Sequence, residues 1–262
     1  MRRRHPLLWP LALLGLLFLW LPILVIVVVS FDTSNYLAFP PAGFTLQNYV
    51  EVFQDQEFVD AFVLSSWMGL VVALVSTALG VTAALGARRL PARLSGAVSA
   101  FVLSPLLMPS VVLGLAMMLV YARIQLLGTT TGIMLAHVVI TLPYTFRVVL
   151  ASLETYDASS EDAARVLGAS PLTVFRRITL PLIAPGVASA LVLSFLVAFD
   201  ESVIVLFISS RSTTTLPVAL LQHVEVSADP VVAALSVILV LISAAVMAVV
   251  NSLFGLRRAV SA

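Results

Sequence analysis

Six stretches of this chain are apolar for about 20 residues or more, and that length constrains the fold most. A helix rising about 1.5 Å per residue needs roughly 20 residues to cross a hydrocarbon core of about 30 Å. The stretches run approximately Leu7–Ser30, Phe62–Gly86, Ala97–Tyr121, Gly132–Leu153, Val187–Ser209 and Val231–Phe254. Across the 262 residues, 61% are apolar and 10% charged, where a soluble domain carries about a quarter charged. The expected fold is all-α: a polytopic membrane protein with six transmembrane helices in one domain, residues 1–262. The first stretch is longer than the apolar region of a signal peptide, and no small-residue cleavage site follows it. It therefore reads as a retained anchor. With no cysteine, disulfides, thiolate metal sites and cysteine nucleophiles are excluded.

Arginine placement sets the expected orientation, because basic residues favour the cytoplasmic side. All 14 basic residues are arginine. Arg2, Arg3 and Arg4 precede the first span, and Arg88, Arg89 and Arg93 lie between the second and third. Arg147, Arg165, Arg176 and Arg177 lie at or between the fourth and fifth, and Arg257 and Arg258 follow the sixth. Arg123 and Arg211 fall on the other side. Both termini are expected in the cytoplasm, with the acidic loop from Phe31 to Ala61 outside.

Two features of the spans point to helix packing. In the second, Ser65, Gly69, Ala73 and Thr77 recur every four residues and Gly80 and Ala84 continue the small stripe, which lets a neighbouring backbone approach. Pro105 and Pro109 interrupt the third span and Pro143 the fourth; each frees a carbonyl that a neighbour or cavity water must satisfy.

Between the fourth and fifth spans lies a polar island, EDAARVLGASPLTVFRRITLP, Glu161–Pro181, within a loop of residues 154–186. Ser159 or Ser160 can cap a helix whose first turn carries Glu161 and Asp162, where the positive end of the helix dipole favours anions. Arg165 stands four residues after Glu161, a favourable ion-pair spacing. Ala163 and Ala164 keep one side thin, and Gly168 is placed to stop the helix. Two turns of helix are too short to persist alone in water, so a docking surface is required. Ser170 and Pro171 then start a second helix. With Leu172, Val174, Phe175 and Ile178 on one side and Arg176 and Arg177 on another, it is expected to lie on the membrane face. Pro181, Pro185 and Gly186 are expected to turn the chain into the fifth span. A plain amphipathic connector shows the same local pattern.

These residues resemble the EAA loop of ABC importer permeases. Glu161 matches the acid, Ala163 and Ala164 the alanine pair, Gly168 the glycine, and Ile178, Leu180 and Pro181 the tail. An extra residue stands between acid and alanines, so either Glu161 or Asp162 is the aligned acid. The resemblance implies a type I ABC importer permease fold, in which the short helix enters a cleft of an ATP-binding subunit. ATPase coupling would then fall to Glu161, Asp162, Ala163, Ala164, Arg165, Gly168 and Pro181. It also implies two ATP-binding subunits, a second permease subunit of different sequence, and an extracytoplasmic solute-binding protein. This chain would bind no cofactor, ATP being used by the partner subunit, and it would not be an enzyme.

Asp200 and Glu201 lie in the fifth span, within LVLSFLVAFDESVIVLF. Carboxylates at that depth require a cavity, a partner or a proton. On a continuous helix, Glu201 shares a face with Ser194 and Ala198, and Asp200 one with Leu193, Leu196, Val197 and Phe207. Glu201 is the expected pathway residue and Asp200 the one that shapes the helix or bonds a neighbour; helix-positioning hydrogen bonds are the structural alternative. The segment FDES with RSTTTLPVALLQHVEVSADPVVAALS, and the outer PAGFTLQNYVEVFQDQEF, resemble the second permease subunit of spermidine/putrescine-type importers. That resemblance implies a polyamine or related cationic amine as solute. Opines and aminoethylphosphonate also belong to the wider subfamily.

The remaining signals are weak. His5, His137 and His223 have no metal-ligand spacing, and no Walker loop occurs. GTTTG at Gly128–Gly132 has GxxxG form but falls at an outer turn. Acids such as Asp55, Glu57 and Asp60 are available to an arginine-bearing binding protein. Two rival classes remain: a secondary transporter coupling protons through Asp200 or Glu201, and an intramembrane enzyme. The second lacks a nucleophile–base or metal set.

Overall fold

The computed structural model describes residues 8–155 and 159–254. The arginines at 2–4, 257 and 258, His5 and the Tyr156-Asp157 lead into the island lie outside the described residues. Every regular element among those described is helical. The helices are α1 (Leu8–Val29), α2 (Gln47–Gln54), α3 (Gln56–Arg89), α4 (Ala92–Leu103), α5 (Ser110–Arg123) and α6 (Thr130–Glu154). They continue with α7 (Ser159–Val166), α8 (Pro171–Val174), α9 (Leu180–Asp200), α10 (Val203–Ile208), α11 (Leu216–Val226) and α12 (Pro230–Phe254). Among the described residues, five helical stretches are long and apolar enough to cross a bilayer, and a bent pair, α4 with α5, makes a sixth span if counted as one.

The chain forms two compact units, one from residues up to Asp60 with Ala219–Ser243, the other from Ala61–Val218 with residues from Ala244 onward. In the first, α1 has 22 residues, about 33 Å of helix. It is apolar all round and almost uncovered by the rest of the chain. Past its end the chain is tied into a knot around Asp32. The Asn48 side chain donates to the Ser30 and Asp32 carbonyls, both at 2.9 Å. The Asp32 carboxylate accepts the Ser34 hydroxyl at 2.7 Å and the Ala42 amide at 2.9 Å. At the start of α12, Asp229 pairs with His223 at 3.1 Å, and the His223 ring packs on Phe58 at 5.2 Å.

The second unit is built on α3, α6 and α9. Ser65, Ala73, Thr77 and Ala84 of the small stripe are buried. Gly69 faces Phe195 of α9 and Gly80 faces Thr145 of α6. Hydroxyls complete the α3–α6 contact: Ser76 and Thr141 share a hydrogen bond of 2.6 Å, and Thr145 donates to the Ser76 carbonyl at 2.9 Å. Phe146, Val149 and Ile183 fill the core beside that contact. A second core gathers Met68, Tyr121, Ile133 and Ile204, where Gly114 lets α5 lie against Ile204 and Phe207 of α10. Gly128 has φ +73, and Thr129 caps α6 by accepting the Gly132 amide at 3.0 Å. GTTTG is thus a turn and a helix start.

Two spans depart from the sequence expectation. Ala97–Tyr121 is not one helix: α4 and a 3-10 turn at Ser104–Leu107 meet α5 at a bend of 99°. Pro105 has no amide to give the Phe101 carbonyl, which takes the Ser104 hydroxyl at 2.8 Å instead. Met108, preceding Pro109, is pushed to extended backbone, as the proline ring demands. The fifth span also differs at both ends. It starts at Pro171 and runs as one apolar helical stretch of 30 residues to Asp200. The expected turn at Pro181, Pro185 and Gly186 does not occur, and α8 is the foot of the span rather than a separate surface helix. A π turn at Phe175–Thr179 lies inside it; there the i to i−4 ladder is already interrupted, so Pro181 in the next turn removes little.

Candidate functional site

The island is held by local chemistry at each boundary. Glu161 and Asp162 occupy the first turn of α7. At its end the Ala169 amide donates to the Ala164 carbonyl and the Gly168 amide to that of Arg165, both at 3.0 Å. With Gly168 at φ +84, this is a Schellman stop, which a side chain would strain. One residue on, the Ser170 hydroxyl accepts the Thr173 amide at 3.3 Å and Pro171 takes the first helical position.

The two acids of α7 point in different directions. Glu161 is buried, its side chain 9% exposed. Its Oε1 accepts the Thr179 hydroxyl at 2.7 Å and lies 3.5 Å from the Arg88 guanidinium at the end of α3. Its Oε2 pairs with Arg165 at 3.0 Å. Asp162 is 69% exposed and meets the other arm of the Arg165 guanidinium at 3.0 Å. Beside Asp162, Ala163, Val166 and Leu167 turn an apolar stripe outward, the last two each 87% exposed. A cleft of about 150 Å³ runs between α3 and the island, lined by Arg88, Arg89, Glu161, Arg165 and Thr179 among others. Removing one partner of a fully buried ion pair costs about 3–5 kcal/mol. The cost is smaller here because Arg165 is nearly half exposed.

The second set of expected residues stands at a break. α9 ends at Asp200, Glu201 has extended backbone, and α10 begins at Val203. Phe207 therefore lies on another helix, and the face it was expected to share with Asp200 does not exist. Glu201 Oε1 accepts the Ile204 amide at 2.9 Å, placing a carboxylate on the positive end of α10. Asp200 is exposed at the opposite, negative end of α9, where the last carbonyls have no partner within the helix. No ion pair among the described residues involves either acid. Ser194 and Ala198 are buried. His137 of α6 is buried too, its ring bonded to the Ile133 carbonyl at 2.7 Å.

The sequence pattern missed Arg88 and Thr179 as partners of Glu161. Arg88 carried meaning only as a topogenic charge and Thr179 only as a residue inside ITLP. No spacing rule joins them to Glu161, because they come from α3 and the foot of α9.

A chain of membrane-crossing helices, interrupted by a capped amphipathic island and by a span broken at two carboxylates, defines a membrane-embedded transport subunit. The chain belongs to the family described as binding-protein-dependent transport system inner membrane component, which it matches over residues 76–256. The putrescine transport system permease protein PotI of Escherichia coli K12 is 34% identical, the match covering 87% of this chain and 83% of the relative. The spermidine/putrescine transport system permease protein PotC of Haemophilus influenzae is 29% identical over 88% and 89%. A putative 2-aminoethylphosphonate transport system permease protein, PhnV of Salmonella typhimurium, is 32% identical over 90% and 89%. Among solved structures, a bacterial ABC transporter importing the polysaccharide alginate superposes with TM-score 0.77 at 16% identity, covering 97% of this chain and 94% of that one. An amino acid ABC transporter gives TM-score 0.63 at 18% identity, over 82% and 100%. The fold is thus that of a type I ABC importer permease. The chain is a multi-pass inner-membrane permease subunit of a binding-protein-dependent transport system. Nothing in these relationships supports a proton-coupled secondary transporter.

Proposed function

We propose that this permease carries a polyamine or related cationic amine, paired with a second permease subunit of different sequence, two ATP-binding subunits and an extracytoplasmic solute-binding protein. Both termini and the 154–186 loop face the cytoplasm in this reading, with residues 1–262 forming one transmembrane domain. The loop couples to the ATPase through Glu161, Asp162, Ala163, Ala164, Arg165, Gly168 and Pro181. Of the two acids, Asp162 is the one offered to the ATP-binding subunit, beside the outward stripe of Ala163, Val166 and Leu167. Glu161 is turned into its own chain.

The observation that carries the solute class is the broken fifth span. The exposed Asp200 carboxylate adds to the partial negative charge of the α9 carbonyls, and Glu201 neutralises the opposing end of α10. The field left at the break favours a cation, as at the discontinuous helices of other transporters. Asp200 contacts the solute in this reading, and Glu201 holds the break open while lining the pathway. The relatives named for putrescine and spermidine support the same class.

The test is uptake by the assembled complex in proteoliposomes, with its binding protein outside and ATP inside. Labelled putrescine should enter only with ATP, and Asp200→Asn should lower uptake about tenfold, the worth of one charge-assisted hydrogen bond. Preference for 2-aminoethylphosphonate, or unchanged putrescine uptake by the variant, would overturn the assignment.

A further inference from the structure

The inward-facing acid of the island has a separate task. We infer that Glu161 is a positioning residue that clasps the coupling helix to two spans at once, so that movement of α7 is passed to α3 through Arg88 and to α9 through Thr179. The inference rests on the coupling reading of the loop and deepens it. It concerns the link inside this chain rather than contact with the ATPase.

The geometry supports a clasp over a surface ion pair. Glu161 is buried although the rest of its helix, apart from half-buried Ala164, is exposed. Its two oxygens are shared among three elements: Oε1 by Arg88 and Thr179, Oε2 by Arg165 of its own helix. Arg165 in turn bridges to Asp162 on the outer surface. A displacement of the exposed acid thus reaches the buried one through a single guanidinium. Thr179 is the last residue of the π turn, where the Leu180 amide reaches back to the Phe175 carbonyl. Such a turn carries one residue more than an α turn, and π turns recur at functional sites. A pull on Thr179 therefore acts where the span is least regularly bonded.

The inference is tested in the assembled complex by measuring uptake, ATP hydrolysis and retention of the ATP-binding subunit together. Glu161→Gln and Arg88→Gln should each keep the ATP-binding subunit and its hydrolysis while solute moved per ATP falls about fivefold or more, a typical coupling factor. The double variant should be no worse than either alone, since both remove one link. Arg88→Glu with Glu161→Arg should recover part of the loss, and Thr179→Val, which keeps shape, should show a smaller uncoupling. Loss of the ATP-binding subunit in Glu161→Gln, additive losses in the double variant, or unchanged transport per ATP would each overturn the clasp. Failure of the coupling reading itself shows differently: Asp162→Ala with Val166→Ser and Leu167→Ser would then leave ATPase-subunit retention intact.

Discussion

Replacing Gly168 with alanine isolates the conformational requirement of the island. Gly168 has φ +84, a region that costs an L-residue with a Cβ about 1–2 kcal/mol. An added Cβ there meets nothing within 4 Å, so crowding contributes nothing and the strain alone is measured. That strain falls on the residue whose amide, with that of Ala169, closes the end of α7. A helix of 8 residues has no stability of its own to absorb it. A change of about 1–2 kcal/mol lowers the closed-to-open ratio of the helix about 5–30-fold. Hydrogen exchange over residues 159–169 in the assembled complex should rise by that factor, and solute moved per ATP should fall with it. Asparagine tolerates the left-handed region better than alanine, so Gly168→Asn should be the milder variant. Unchanged exchange in Gly168→Ala, or an asparagine variant worse than the alanine one, would refute the argument.

Two further outcomes test other parts of the fold. At Gly80 a Cβ would overlap Thr145 Oγ1 and lie 3.0 Å from the Phe146 amide nitrogen, while Gly86 of the same helix has open space. Gly80→Ala should destabilise the subunit by about 1–3 kcal/mol through overpacking. Gly86→Ala should be neutral or stabilising by up to about 1 kcal/mol; equal thermal midpoints for the two in detergent would contradict the α3–α6 contact. In the outer knot, the Ser34 hydroxyl first, with the Ser34 and Ala42 amides, holds the Asp32 carboxyl below its ordinary 3.8 despite burial. A depressed folded value means the knot is fully supported above about pH 4 and loses that support as pH falls through the folded value. Protection of the Ala42 amide, taken relative to its intrinsic exchange rate, should fall below about pH 4 in the native chain, and Asp32→Asn should abolish that fall. Protection that does not change with pH would sink the assignment.

The sequence alone determined whatever depends on neighbours a few residues apart or on summed apolar length. Span length and the scarcity of charge fixed an all-helical membrane subunit. The Glu161–Arg165 spacing, Gly168, Ser170 and Pro171 marked the two starts and one stop of the island, because capping and helix arrest are local events. Pro105 and Pro109 located the disturbance in the third span, though not its size. A missing amide loosens the helix, and only packing around it selected a bend of 99°. The same limit hid the break after Asp200, since FDES carries no glycine or proline. There the Glu201 carboxylate takes over an amide at the start of α10. Which acid of α7 turns inward was likewise undecidable from spacing: Glu161 and Asp162 both reach Arg165. What separates them is the guanidinium of Arg88 and the hydroxyl of Thr179, brought from distant parts of the chain to the buried side. Local rules set where the helices begin and end, and contacts between distant residues set the direction in which each charge points.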